Sequence, residues 1–497
     1  MLSNKWYILL GLSLASFLGC IDLTIVNTAL PAIQQDLQAS VTSLQWVMNA
    51  TLLALTAFMV ISGKLGDLYG RRLYLYIGMA IFAVSSLGAG FSSNVEMLIG
   101  FRFLQGLGIA ILYTLPIAII PALFPKNEQG KATGLVIAAN GVGLAIGPIL
   151  GGFITAALSW HWIFFINVPL TLLSFAFCMN RLPETKSDDE NKRIDWLGFS
   201  LLLTIFPSLI LATVQGEFWG WTSWPILSLY AFSLIGFVAF VYVENKIKSP
   251  IISFKLFSNP VYIVGLFANF GLAFFYAIDF FLMPLYLHYM QGQTEMQIGL
   301  TLLPATGMIA LLSSPIGSWV DKQGPKRALM LGCVLLTFSA LLQIYFTQDS
   351  SIAFVISAYI LFGAGFACIL SPSIVAAMSS VPNHISGVAI GTIGTLHNLG
   401  GAIGLAVGTL IYQMQSESAL MRAATEQHFS FGPWIQDAIS ETENAVVIIQ
   451  SNTAISAEKA QAIFDATFLH GYSSVMVLLV ATSLLTLLMV GVGLKGK

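Results

Sequence analysis

Apolar runs of about twenty residues recur from one end of this chain to the other, and that recurrence restricts the fold more than any single motif. A helix needs roughly 20 residues to cross a hydrocarbon core of about 30 Å. Inside a bilayer no water satisfies backbone amides, so such runs cross as helices that bond internally. Starting points near Trp6, Leu44, Leu73, Met97, Ala132, Trp162, Trp196, Trp224, Val261, Ile298, Ala328, Ile352, Val388 and Tyr472 give fourteen crossings. With 57% hydrophobic residues, 9% charged residues and a mean hydropathy of +0.83, the chain reads as an all-α polytopic membrane protein. The first run continues past Cys20 to Leu30, so it is read as a retained helix and not a cleaved signal.

An even number of crossings puts both termini on one side. Eighteen of the 21 Lys and Arg residues fall at the termini or in even-to-odd connections, Lys64, Arg71, Arg72, Lys131, Lys322 and Arg327 among them. The positive-inside rule makes those connections cytoplasmic, which predicts a multi-pass protein of the cytoplasmic (inner) membrane with both termini inside. The net charge of −2 and the lack of a basic cluster interleaved with aromatics argue against a nucleic-acid partner. Cys20, Cys178, Cys333 and Cys368 fall within crossings without metal-like spacing, which predicts packing residues and no metal. No nucleophile and base cluster or phosphate loop appears, so no catalytic residues are assigned and an enzyme is not expected.

Against this apolar background two acids stand out. Asp22 and Asp279 lie deep within crossings, where an ionised side chain costs at least roughly 2.5 to 3.5 kcal/mol and normally faces a bundle interior or a water-filled pathway. A structural hydrogen bond is the alternative role. Arg102, the one cation at depth, lies three residues from Gln105 on the same helical face. Asp22 is a partner within its means; the alternative is a guanidinium that snorkels to the outer end.

The two acids are 257 positions apart, and other features repeat at nearly that distance. Asp67, in the turn that contains Gly63, Gly70, Arg71 and Arg72, is matched 254 positions on by Asp321, in a turn that ends at Arg327. Gly143, Gly147 and Gly151 recur as Gly400, Gly404 and Gly408, again 257 on. Tyr359 occupies the position equivalent to Arg102, which makes the charge chemistry of the halves unequal. Crossings seven and eight have no counterpart. The chain therefore divides into a six-helix bundle (1–183), a two-helix insertion with its linkers (184–259) and a second six-helix bundle (260–497). The polar stretch 413–471, with a helical pattern over 438–464, is read as a solvated hairpin on the outer face in preference to a catalytic domain.

The glycines of 63–72 permit a tight turn and its acid and arginines can cap or pair across helices, which suits a conformational latch. Gly143, Gly147 and Gly151, with Pro148 and Gly152, give one helix a small-residue face for close approach by another.

Together with Asp22-Leu-Thr-Ile-Val-Asn27-Thr-Ala-Leu-Pro31 and Trp160-His-Trp162-Ile-Phe-Phe-Ile-Asn167-Val-Pro169, these elements resemble the major facilitator superfamily. More narrowly the chain is similar to its fourteen-helix drug:proton antiporters of the EmrB/QacA type. The resemblance implies a major facilitator fold in which two bundles rock about a midplane cavity, with outward export of an amphiphile driven by inward proton flow and no cofactor. It implies proton coupling by Asp22 with Arg102, and by Asp279 less directly because acids on that helix vary in the family. It also implies that 147–152 lies at the interface between bundles. His397-Asn398 stands where relatives often carry Arg-Gln. Relatives of the EmrB kind act with a periplasmic adaptor and an outer-membrane channel, so these join the small amphiphile, protons and lipid bilayer as expected partners.

Asn27, Gln105, Phe275, Tyr276, His397 and Asn398 are the candidates for the cavity wall, with Phe274, Phe280 and Tyr286 near Asp279. Two acids against one arginine at depth tilt the expectation toward lipophilic cationic cargo, with neutral cargo also allowed. Export of an endogenous metabolite such as a siderophore, uptake by symport, and a non-transporting membrane sensor are the competing readings.

Overall fold

The computed structural model describes residues 4–179, 181–185, 195–220, 223–247, 250–252, 254–427, 432, 434–440, 445–453 and 455–494. Lys186, Lys192, Arg193, Lys248, Lys495 and Lys497, part of the basic-residue pattern, lie outside them.

Every regular element among the described residues is helical. The first half comprises α1 (Asn4–Ile25), α2 (Leu30–Leu37), α3 (Val41–Tyr69), α4 (Arg71–Gly90), α5 (Val95–Leu123), α6 (Gln129–Ala157), α7 (Trp162–Phe165) and α8 (Asn167–Cys178). The pair α9 (Trp196–Trp219) and α10 (Trp224–Glu244) follows. The second half comprises α11 (Pro260–Tyr289), α12 (Glu295–Gln323), α13 (Pro325–Ile344), α14 (Ile352–Ser379), α15 (Ser386–Glu426), α16 (Trp434–Ser440), α17 (Ala445–Thr453) and α18 (Ala457–Gly493).

Local chemistry starts the helices at equivalent places in both halves. Ser40 caps α3 by accepting from the Ser43 amide at 3.1 Å, and Thr294, 254 positions on, opens α12 in a capping box with Gln297. Asn94 caps α5 through the Met97 amide at 2.8 Å, and Ser351, 257 positions on, caps α14 through that of Phe354 at 3.3 Å. The helices then pack alike. In the first half α1 rests on α6 and α8 while α3 and α4 rest on α5; in the second α11 rests on α15 and α18 while α12 and α13 rest on α14. The halves meet where α6 crosses α12 and α3 crosses α15, and α9 lies over the second of these seams.

Among the described residues thirteen helices are long and apolar enough to cross a bilayer; the sixth expected crossing, Trp162–Cys178, is apolar but shorter and is interrupted between α7 and α8. Pro169 explains the break, because it has no amide proton to give the carbonyl of Phe165, the last residue of α7. One expectation needs correction: the segment 413–471 is no loop hairpin. α15 continues through Glu426 and α18 begins at Ala457, with α16 and α17 between them. At 41 residues α15 is about 60 Å long, twice the thickness of a hydrocarbon core, so its C-terminal part stands clear of the membrane at the end opposite the 63–72 turn.

Candidate functional site

Asp22 sits on α1 with no solvent exposure, encircled by donors. The Arg102 guanidinium on α5 binds its Oδ2, and Gln105 Nε2 and Asn167 Nδ2 donate to its Oδ1 at 3.2 and 3.1 Å. Arg102 is in turn fixed: Nε donates to the carbonyl of Val47 at 3.2 Å, Nη1 to Gln105 Oε1 at 2.9 Å, and its plane lies 5.9 Å from the Phe164 ring centre. Arg102 thus pairs within the bundle and does not snorkel. Ser86 closes the network by accepting from Gln105 Nε2 at 2.8 Å. A buried ion pair offsets its desolvation only with such additional hydrogen bonds, and here all but those of Arg102 Nη2 and Asn167 Oδ1 are made.

The equivalent site in the second half has the same acid and none of the positive charge. Tyr359, in the place of Arg102, donates its hydroxyl to Asp279 Oδ2 at 2.7 Å, while Asp279 Oδ1 has no hydrogen-bond partner. Gln343, in the place of Ser86, accepts from the Tyr472 hydroxyl at 2.5 Å. Phe275, expected on the cavity wall, is buried against Phe362, the residue that replaces Gln105.

At the end that carries the basic turns, the halves are clamped twice. Asp67 Oδ1 and Oδ2 accept from the amides of Gly387 and Val388, at the start of α15, at 3.0 and 2.9 Å. Asp321 Oδ1 and Oδ2 accept from the amides of Gly130 and Lys131, at the start of α6, at 2.7 and 2.8 Å. Each carboxylate therefore caps a helix of the opposite half, where exposed amides and the helix dipole favour an anion. Glycine makes the approach possible: a Cβ on Gly63 would stand 2.0 Å from the Gly387 carbonyl oxygen, and one on Gly317 2.1 Å from that of Gly130. The turns behind the clamps use Gly70 (φ +116°) and Gly324 (φ +77°), conformations that residues with a Cβ rarely adopt.

The arginines around the clamps differ. Arg71 is buried and donates from Nε and Nη2 to Asp67 Oδ1 at 2.9 and 2.7 Å, from Nη1 to the Ala118 carbonyl at 3.2 Å, and to the carbonyl of Asn383 across the seam. Arg72 reaches Glu184, whose Oε1 also accepts the Arg72 amide at 3.1 Å. Arg327 is no counterpart: it is exposed and donates to Gln323 Oε1 at 2.6 Å, so Asp321 has no arginine.

Between the halves lies a small cavity of about 20 Å³ lined by Met59, Tyr113, Ile117, Ile137, Asn140, Asn269, Leu370, Ile374, Ile390, Ile393, Gly394 and His397. Tyr113 and Leu370, Ile117 and Ile374, Ile137 and Gly394, and Asn140 and His397 are each 257 positions apart. The cavity therefore sits on the axis that relates the repeats. His397 Nδ1 lies 2.7 Å from Asn269 Oδ1, Asn269 Nδ2 donates to Ser373 Oγ at 3.0 Å, and Tyr276 stacks on the imidazole. Asn140 is 4% exposed and its Oδ1 has no partner.

Of the expected wall residues, His397 lines the cavity, and Asn398 sits beside it on the seam, donating to Thr56 Oγ1 at 3.1 Å. Gln105 belongs to the Asp22 network, and Asn27 is exposed at the end of α1, so neither forms this wall. Gly143, Gly147 and Gly151 do not lie between bundles: a Cβ on each would meet Phe17, Thr24 or Thr28 on or just after α1 of their own half, whereas Gly152 faces open space and Pro148 is exposed. The part of α6 that meets the other half is its first half, where Gly130 faces Gly317, Gly134 faces Ser313 and Gly141 faces Ile309. Asn140, Asn269 and Tyr113 were missed by a reading keyed to charge, although the repeat distance pairs two of them with cavity residues of the other half.

Two helical bundles related by an internal repeat, clamped together at one end with a small, mainly apolar cavity on the repeat axis, define a membrane transporter of small molecules. The chain belongs to the Major Facilitator Superfamily, which matches residues 12–405. It is 30% identical to the tetracenomycin C resistance and export protein of Streptomyces glaucescens, over 81% of this chain and 75% of that protein. It is 31% identical to multidrug resistance protein 3 of Bacillus subtilis (81% and 78%), and 30% identical to the riboflavin transporter RibZ of Clostridioides difficile (82% and 88%). The human organic anion transporter MFSD10 shares the fold, with a TM-score of 0.65 at 14% identity over 98% of this chain and 100% of that one.

Proposed function

We propose that this protein exports lipophilic drugs or similar amphiphiles across the cytoplasmic membrane in exchange for protons, as an antiporter of the fourteen-helix type with both termini cytoplasmic. The observation that carries this reading is the pair of clamps that join the halves at the basic end and must break for the small cavity on the repeat axis to open there. Relatives that are antibiotic and multidrug resistance proteins support the cargo class. Asp22 takes the proton-coupling role because its one strong counter-ion, Arg102, comes from another helix, so a change in helix spacing alters the balance between a proton and the guanidinium. Asp279, whose Oδ2 accepts from the Tyr359 hydroxyl, is the second candidate.

The cavity supports neutral over cationic cargo. No carboxylate lines it; both buried acids lie inside their own bundles, behind Arg102 and Tyr359. Its polar groups are two amides, a phenol and an imidazole among apolar side chains, which suit a neutral amphiphile once the halves part and widen it. The similarity to a riboflavin transporter supports a second reading, an endogenous small molecule as cargo. The projecting end of α15 with α16–α18 is the surface that a periplasmic adaptor of an outer-membrane channel would meet.

Purified protein in liposomes with an imposed pH difference tests the reading. The wild type is expected to concentrate a neutral antibiotic against its gradient and Asp22→Asn to bind it without concentrating it. Uphill transport by Asp22→Asn under a pH difference alone would remove Asp22 from the coupling step.

A further inference from the structure

The inserted pair α9 and α10 carries a site that the transport cycle described above does not use. Asp195 precedes α9 and caps it, its Oδ1 accepting from the Gly198 amide at 2.9 Å. Glu244 ends α10, its Oε2 accepting from the Ile252 amide at 3.1 Å. Each acid thereby spends one oxygen on the backbone. The remaining two, Asp195 Oδ2 and Glu244 Oε1, have no partner, although the residues are only 7% and 3% exposed. Both point at the same spot: a Cβ on Gly198 would stand 2.3 Å from the first and 2.5 Å from the second. No ion pair joins either acid among the described residues.

Two bare carboxylates turned toward each other without a counter-ion repel, and burial makes the repulsion stronger. One proton between them removes both the repulsion and the two unpaired acceptors, as in acid pairs that share a proton. A divalent metal ion would need more oxygen ligands than these two. We propose that Asp195 and Glu244 form a proton-binding site, in which one proton bridges Asp195 Oδ2 and Glu244 Oε1 and ties the start of α9 to the end of α10.

The position of the pair gives the proton a consequence. Leu202, Ile205 and Phe206 of α9, and Ile251 and Ile252 just after Glu244, share an apolar cluster with Val60 and Ile61 of α3 and Val388 of α15. That cluster lies on the seam beside the Gly63 and Gly387 contact. Release of the proton to water at this end separates the acids, frees the Ile252 segment and loosens the insertion from the seam. The charged and titratable groups on the elements around it include Lys64 on α3, whose Nζ donates to the Pro250 carbonyl at 2.8 Å; Asp67 on α3, held by Arg71 and by the amides of Gly387 and Val388; Lys246 after α10, held over the Tyr242 ring; and His397 on α15, engaged with Asn269.

Full-length protein in lipid nanodiscs, without substrate or gradient, provides the test. The native state holds one proton more than the separated acids of the unfolded chain near neutral pH, so wild-type stability falls as pH rises. Glu244→Gln replaces the bridging proton by a permanent amide donor, so its Tm minus that of the wild type should grow steadily from pH 5.5 to 9. Asp195→Asn should do the same, and serves alone should the other variant not fold. An infrared band of a protonated carboxyl should also disappear in either variant. Profiles parallel to the wild type overturn the proposal, as does a wild-type Tm that tracks Na⁺ at constant ionic strength and pH, which would mark a metal-cation site. None of these outcomes bears on whether the protein exports drugs.

Discussion

Replacing Asp67 by Ala should shift the molecule toward opening at its basic end by a factor that the clamp geometry sets. Two bonds cross from Asp67 to the other half, to the amides of Gly387 and Val388 at 3.0 and 2.9 Å. The bonds from Arg71 to Asp67 lie within one half, so rigid-body parting of the halves leaves them out of the difference. A hydrogen bond to a charged group contributes about 1.5 kcal/mol at the low end of its range, so two contribute about 3 kcal/mol, a factor of roughly 150. A closed-to-open ratio of about 100:1 would fall to about 0.7:1, or roughly 40% closed. The Asp321 clamp stays intact in this variant and limits how far the seam parts. Spin labels at Tyr69, which is 40% exposed, and at exposed His384 span the affected seam, and the four native cysteines are buried. Pulsed dipolar distances should show one short population in the wild type and a second, longer one in Asp67→Ala. Substrate affinity should change less than turnover. A population change under threefold would refute the clamp as an energetic element, and a loss confined to affinity would make the turn part of a binding site.

Gly147→Leu should slow transport and lower thermal stability, because even its Cβ would stand 2.0 Å from Thr24 Oγ1, whereas Gly152→Ala, with open space around it, should behave as wild type in both measurements. Asn140→Ala and His397→Ala should raise KM for a neutral cargo by about 2- to 10-fold, the worth of one uncharged hydrogen bond, and leave the dependence on the pH difference unchanged. A change in that dependence would place the proton site in the cavity. A cysteine at exposed Ser451, between α15 and α18, should react with a membrane-impermeant reagent only from outside the cell. Labelling only from the cytoplasm would invert the topology; position Glu443 in the same segment lies outside the described residues.

What could be read from sequence was what physics makes expensive or repetitive. Asp22, Arg102 and Asp279 were visible because charge at membrane depth must be used or compensated, and the clamps because aspartate and glycine recur at one spacing. Of the cavity His397 was expected and the rest was not visible, since Asn140, Asn269 and Tyr113 are uncharged and interrupt an apolar run without an obvious penalty. Their places on the axis emerge only when the repeat distance is applied residue by residue, which pairs Asn140 with His397 and Tyr113 with Leu370. The segment 413–471 was misjudged because hydropathy marks where a helix leaves lipid, not where it ends. Residues 413–426 turn polar while the amides of α15 stay paired. The break before α8 needed one residue, Pro169, to be weighed against sixteen compatible with a continuous helix.

The repeat is kept and broken in different kinds of places. It is kept where backbone geometry is at stake: the caps Ser40 and Thr294, the turns at Gly70 and Gly324, and the aspartates that cap the opposite half. Two bundles that rock about a shared axis need matching hinges and seams, so substitution there would unbalance the motion itself. It is broken at the polar groups that face the buried acids, the clamps and the cavity: Arg102 against Tyr359, Arg71 against no equivalent, Asn140 against His397. A symmetric pair of sites would respond alike to a proton, and neither half could then lead. With a guanidinium facing one acid and a phenol facing the other, the same change in helix spacing strips an ion pair in the first half and only a neutral hydrogen bond in the second. The larger electrostatic change therefore falls on Asp22, and that is the physical reason to seek the coupling step there before Asp279.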